Sequence, residues 1–226
     1  MQAPGLVRDD VDFLSLLSDV NRRRFLEGST KDVYPAGTLV YHPEGPFRAF
    51  LLERGLVRGY TSVPDGRQAS VVFFHSHELV GGTSIVSRPP MISVQVVVES
   101  TMTALDLRGV RRLVATENEI LGAVAAHLAS ITRNAFRLIA VRSLGNITER
   151  LAYDLLDRAC QSQLAVGRLE AKATQTELAD SIGSSREVVS RAMTGLRQAG
   201  IVETAPGVVR LLEPIRLAQI VRAFVM

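Results

Sequence analysis

Two helix-start signals flank one glycine in the last third of the chain, and no other feature restricts the fold as tightly. Thr174-Gln-Thr-Glu177 has the form of a capping box, in which the threonine hydroxyl accepts from the Glu177 amide while the glutamate side chain bonds back. The helix it opens is short, covering Leu178, Ala179 and Ile182. It should stop at Gly183, the residue type that tolerates the left-handed conformation of a helix end. Ser184-Ser-Arg-Glu187 repeats the signal and predicts a second helix reaching Ala199-Gly200. Two capped helices joined by a tight glycine turn form a helix-turn-helix.

At 100° per residue, Val189, Ala192, Met193 and Leu196 share one side of the second helix, which is a core face. Glu187, Ser190, Arg191, Thr194 and Gln198 fall on the other side, led by Arg186 at the N-terminal end, where a helix entering a major groove meets base edges. Arginine can donate two bonds to guanine O6 and N7, glutamate can accept from cytosine N4, and Ser190 and Thr194 suit phosphate oxygens. With Thr174 and Ser184 at the two helix starts, Arg186, Glu187, Ser190, Arg191 and Thr194 make up the expected set of residues on double-stranded DNA. Ile201–Thr204 and Val208–Leu211, separated by Ala205-Pro-Gly207, read as a hairpin wing, and Pro214–Phe224 as a closing helix. From Ser143 onward there are ten Lys/Arg against nine Asp/Glu, so any attraction for nucleic acid must be local.

The chain of 226 residues suits two modest domains. An amphipathic segment, Val11–Leu26, gives way at about Val33 to strand-like runs: Thr38–Tyr41, Ala49–Leu52, Val57–Thr61, Ala69–Phe74, Ser93–Val98 and Thr101–Leu107. Turn signals at Pro35-Ala36-Gly37, Pro43-Glu44-Gly45, Arg54-Gly55 and Pro64-Asp65-Gly66 punctuate them, which predicts a small antiparallel barrel or roll. After Thr116, Leu121, Val124, Leu128, Ile131, Ala135 and Leu138 recur at alternating spacings of three and four. That heptad seam on a long helix predicts a homodimer packed helix to helix. Gly145 interrupts the pattern and marks a hinge, followed by an amphipathic helix, Ile147–Cys160, and a polar passage, Gln161–Lys172.

No stretch approaches the apolar run needed to cross a bilayer, and Met1–Asp10 lacks a basic region followed by an apolar core, so a cytoplasmic protein without membrane contact is expected. Cys160 is the only cysteine, which excludes an intrachain disulfide and the four-cysteine ligation of an iron–sulfur cluster. It lies in an apolar helical pattern and reads as a small buried hydrophobe.

The segment Thr176-Glu-Leu-Ala-Asp-Ser-Ile-Gly-Ser-Ser-Arg-Glu-Val-Val-Ser-Arg-Ala-Met193 resembles the CRP/FNR superfamily, whose recognition helix carries Arg-Glu-x-x-x-Arg where Arg186, Glu187 and Arg191 stand. The roll, the long helix and the passage Asn146-Ile-Thr-Glu-Arg-Leu-Ala-Tyr153 are similar to the family in order and spacing. The resemblance implies an α+β fold: an N-terminal β jelly-roll sensor domain over 1–116, a dimerisation helix over 117–142, and a C-terminal winged helix-turn-helix domain over 143–226. It further implies a non-enzymatic transcription regulator that binds an inverted repeat of TGTGA-like half-sites and has RNA polymerase as a partner. Ser190 leaves a TTGA-type half-site open as well, since the FNR branch uses serine there.

The effector does not follow from the resemblance. Cyclic-nucleotide binders hold their ligand with a Gly-Glu-Leu-Gly turn, a later Arg-Ser pair and a Thr-Ser pair on the long helix. Here the corresponding positions read Gly81-Gly82-Thr83-Ser84, Ile92-Ser93 and Ala135-Phe136. Without the arginine a buried phosphate would lack its counter-charge, so cAMP is not expected. Haem on His42, His75, His77 or His127, an apolar small molecule in the roll, and no effector at all remain open. A rival reading, a metal-containing sensor or cupin-like enzyme built on His75, His77 and Glu78, has the wrong spacing for a cupin metal site.

Overall fold

A computed structural model describes residues 12–223 apart from 47, 65, 67, 89, 90 and 167, with backbone alone at 164–166. The segment Met1–Asp10, together with Val11, Asp65 and Phe224 of the expected elements, lies outside the described residues. A 3-10 turn, Phe13–Leu16, leads to α1 (Asp19–Leu26), capped by Ser18. Six strands follow: β1 (Thr30–Tyr34), β2 (Leu39–Tyr41), β3 (Phe50–Ser62), β4 (Gln68–His75), β5 (Glu78–Val80) and β6 (Ser93–Ala104), with the single helical turn α2 (Thr83–Val86) between the last two. They form one antiparallel sheet in the order β1-β6-β3-β4, with β2 on β6 and β5 on β3, so β4 is left as an edge.

The Arg54-Gly55 signal marks a bulge and not the predicted turn. β3 runs through it, its register against β6 slipping on both sides of Arg54 and again after Leu56. Gly55 holds φ +124°, and a Cβ there would stand 2.1 Å from Ser100 Oγ, so only glycine lets the strand coil and continue. β6 likewise joins the two runs expected as separate strands, ending before Asp106, which caps α3 (Leu107–Thr116) by accepting from the amides of Arg108 and Gly109.

The long helix α4 (Asn118–Leu144) spans 27 residues, ~40 Å at 1.5 Å per residue, and ends at Gly145 as expected. A Cβ on Gly145 would meet the Val141 carbonyl oxygen at 2.5 Å. The helix α5 (Ile147–Val166) runs well past Cys160, and β7 (Glu170–Lys172) emerges from the passage read as merely polar. Then come α6 (Gln175–Ser181), α7 (Arg186–Gln198), β8 (Val202–Ala205), β9 (Val208–Leu211) and α8 (Pro214–Arg222), with β7-β9-β8 as a small antiparallel sheet.

The predicted heptad seam needs correction. Val124 is fully buried and Leu138 nearly so, both within the chain's own core, while Leu128 and Ile131 pack against the roll. A spacing of three and four identifies an apolar stripe without saying what covers it, and here the chain's own sheet covers most of it. Of the seam residues only Leu121, at 43%, remains a large exposed apolar group. A neighbouring stripe faces outward at the same spacing: Gly122, Ala125, Ala129, Thr132, Phe136 and Ile139, the last two 59% and 64% exposed.

Candidate nucleic-acid interface and effector cavity

The first predicted capping box is present: Thr174 Oγ1 accepts from the Glu177 amide at 3.2 Å, and Glu177 Oε2 accepts from the Thr174 amide at 2.7 Å. The bond from the Thr174 amide holds the Glu177 carboxyl below its ordinary range. α6 then closes in a Schellman motif: the Ser184 amide donates to the Ala179 carbonyl at 2.9 Å and that of Gly183, at φ +60°, to Asp180 at 3.3 Å. Ser184 is used in that closure, so the second box is displaced by one residue. Ser185 caps α7 by accepting from the Val188 amide, and Glu187 lies one position too early to complete a box. Its carboxyl is lowered by a bond from its own amide and then by the Ser185 hydroxyl.

Val189, Met193 and Leu196 are buried beneath α7, whereas Arg186, Glu187 and Arg191 are exposed and Ser190 is half-buried. Among the described residues neither Arg186 nor Arg191 makes an ion pair, which leaves both guanidinium forks available for bidentate contacts. Thr194 is differently engaged: its hydroxyl donates to the Ser190 carbonyl at 2.9 Å and accepts from Arg197, which also reaches Thr204 of β8. It joins the helix to the wing. Arg210 binds Glu170 and Glu203 across the three-stranded sheet, and a groove of about 340 Å³ lined by Thr174, Gln175, Arg186 and Gly207 opens between helix starts and wing.

In the roll, a cavity of about 60 Å³ lies under α4. Of the expected residues Gly81, Gly82, Thr83, Ser84 and Ile92 line it; Ser93, Ala135 and Phe136 do not. Residues not foreseen complete it: Tyr41, Arg48, Phe50, Phe74, Val94, Leu128 and Ile131 among them. A Cβ on Gly82 would lie 3.2 Å from Leu79 Cδ2 and 3.4 Å from Leu128 Cδ2, so a side chain there would press on both leucines. Gly59 is forced by the same packing, since a Cβ there would be 2.7 Å from Val72 and 3.0 Å from Ile92. The Tyr41 hydroxyl is buried without a hydrogen-bond partner among the described residues, which costs about 1–3 kcal/mol.

The histidines are dispersed. His42 Nδ1 accepts from the Glu44 amide, His127 is buried with Nε2 on the Leu79 carbonyl at 2.8 Å, and His77 sits in a tight turn at φ +72°. Glu78 is committed to Arg222 of α8 at 2.8 Å and to the His75 amide. Among the described residues no group of three or more His, Cys, Asp or Glu is placed to hold a metal ion.

α5 carries the link between the two halves by covering the open edge of β4. Asp157 Oδ1 accepts from the Ser70 amide at 2.9 Å and hydroxyl at 2.6 Å, Tyr153 donates to the Ser70 carbonyl at 2.9 Å, and Gln161 donates to that of Gln68 at 3.2 Å. These side chains take the place of a missing neighbouring strand. Behind them Arg58, with no exposed surface, donates to Gln95 and Gln68 and lies 3.6 Å from Asp157.

A model of the Crp-like helix-turn-helix domain matches residues 149–220, and one of the cyclic nucleotide-binding domain matches residues 31–117. The cyclic AMP receptor protein of Thermus thermophilus is 28% identical over 218 residues, covering 96% of this chain and 94% of its own. The cAMP-activated global transcriptional regulator Vfr of Pseudomonas aeruginosa is 25% identical over 195 residues, covering 83% and 87%. A solved structure of a putative crp/fnr-family regulator from Eubacterium rectale superposes with a TM-score of 0.58 at 17% identity, covering 92% of this chain and 96% of its own, a likeness of fold alone. Both halves match in the family's order and across almost the whole length of the relatives, and so the chain belongs to the CRP/FNR family of DNA-binding transcription regulators.

Proposed function

We propose that two copies of this chain bind an inverted repeat, each placing α7 in a major groove, with Arg186 on a guanine, Glu187 on a cytosine N4 and Arg191 beside them. The chain is a regulator and not an enzyme. The observation that carries the reading is the exposed trio of Arg186, Glu187 and Arg191, neither arginine in an ion pair among the described residues, on a helix whose opposite face is core. The half-site is TGTGA-like; Ser190, half-buried on the same side, supports TTGA as the second reading. Thr174, at the start of α6, and Ser184, in the turn before α7, approach the phosphates, and Thr194 does so only by giving up its link to Arg197.

The functional division is a sensor over 1–116, a dimerisation helix over 117–142 and a reader over 143–226, acting in the cytoplasm with RNA polymerase. The partner copy packs on the outward stripe of α4, from Gly122 to Ile139, flanked by Leu121. Vfr is named as cAMP-activated and the Thermus thermophilus protein as a cyclic AMP receptor; this chain does not respond to cAMP, because Gly82 and Ile92 stand where the ribose-binding glutamate and the phosphate-binding arginine of cyclic-nucleotide binders would be. Fluorescence anisotropy at fixed salt tests this on a duplex holding TGTGA and its inverted copy, against a scrambled duplex, with and without cAMP. Selective binding indifferent to cAMP is expected; selectivity that appears only with cAMP overturns the effector reading. Arg186→Ala is expected to cost about 1–3 kcal/mol of specific affinity, leaving the scrambled duplex bound nearly as before.

A further inference from the structure

The walls of the cavity under α4 are mostly carbon, and the charged side chain among its described lining residues is a cation, Arg48. Phe50, Phe74, Val94 and Ile131 present carbon, and the positions that would receive a nucleotide carry either no side chain, as at Gly82, or no charge, as at Ile92. Arg48 lines the same space, exposed and without an ion pair among the described residues. Tyr41 lines it too, 8% exposed, its hydroxyl buried and lacking a partner. A carbon-lined cavity rewards an apolar body, an unpaired guanidinium rewards an anion, and a buried donor rewards an acceptor oxygen.

We infer that the cavity binds a small apolar acid, an aromatic or medium-chain aliphatic carboxylate. Its hydrocarbon lies against Phe50, Phe74 and Ile131, Arg48 holds the anionic head, and Tyr41 supplies a hydrogen bond to an acceptor oxygen. The inference rests on the cavity being the effector site, and is independent of how α7 reads DNA. Leu128 and Ile131 carry the ligand's presence to α4, whose other side bears the proposed dimer stripe.

The test uses the full-length protein with benzoate, phenylacetate and octanoate, and phenylacetamide and cAMP as controls, followed by thermal unfolding and titration calorimetry. At least one acid is expected to raise the unfolding midpoint and to bind one molecule per chain, with neither control doing so. Arg48→Gln should weaken that acid at least tenfold while leaving the midpoint of the free protein unchanged. Tyr41→Phe should raise the free protein's midpoint and weaken the acid several-fold. Binding of the amide as tightly as the acid, or undiminished acid binding in Arg48→Gln, overturns the assignment of the anionic head. Binding of cAMP overturns the ligand class but keeps the effector site, and failure of every acid overturns both. Selective DNA binding, measured without ligand, would survive any of these outcomes.

Discussion

His127 shows most plainly what burial does to a single side chain. It has no exposed surface, and desolvation pushes its imidazole down to about 4, opposed by the hydrogen bond to Leu79 and assisted by the charge of Arg222. In the unfolded chain the group titrates near its ordinary 6.5. Between those values the unfolded state binds the extra proton, so the stability is complete above pH 6.5 and is lost as pH falls toward 4, by about 3 kcal/mol. Urea unfolding across that window should show the loss, and His127→Leu should flatten it; an unaltered slope in the variant would contradict the assignment. Cys160 is another buried titratable group, its thiol raised to about 12 by desolvation. It should resist iodoacetamide in the native protein and react at once in urea, whereas rapid native labelling would show that α5 opens. The sequence already favoured a bland role for Cys160, because its neighbours in the helical pattern are apolar. It held no comparable sign for Tyr41 or Arg48, since the meeting of β2, β3, β5 and α4 around one cavity depends on strand pairing.

Among the elements, the reader was the most legible, because its caps, glycine stops and wing turn act over three or four adjacent residues. Even there the Schellman closure moved the second cap from Ser184 to Ser185, a competition for one residue that spacing alone does not resolve. α3 and β7 went unread: the first is marked chiefly by its Asp106 cap, and the second exists only through pairing with β9. α5 was read as a short amphipathic helix, yet its polar side is what closes the β4 edge. Removing the carboxylate with Asp157→Ala would leave the buried Arg58 guanidinium without its anion, at a cost of about 3 kcal/mol. Equilibrium denaturation of the variant measures it, and a loss below about 1 kcal/mol would mean that Gln68 and Gln95 already satisfy the arginine.

At the scale of the whole molecule, α4 lies between sensor and partner: its inner stripe belongs to the roll, its outer stripe to the proposed second copy. Phe136→Glu and Ile139→Glu should yield monomers by sedimentation velocity with the fold intact, while Val124→Ala should lower stability by about 2 kcal/mol and leave the dimer alone. The reverse pattern would restore the seam first expected from the sequence. The order of roll, long helix and winged reader was legible throughout, whereas the identity of each covering surface was not. Selection of binding sites from a random duplex pool by the full-length protein bears most directly on the central claim. A two-fold-symmetric motif is expected, its half-site centres about one helical turn apart and a guanine preference lost in Arg186→Ala. An asymmetric motif, or one that Arg186→Ala and Glu187→Ala leave unchanged, would contradict recognition by paired α7 helices.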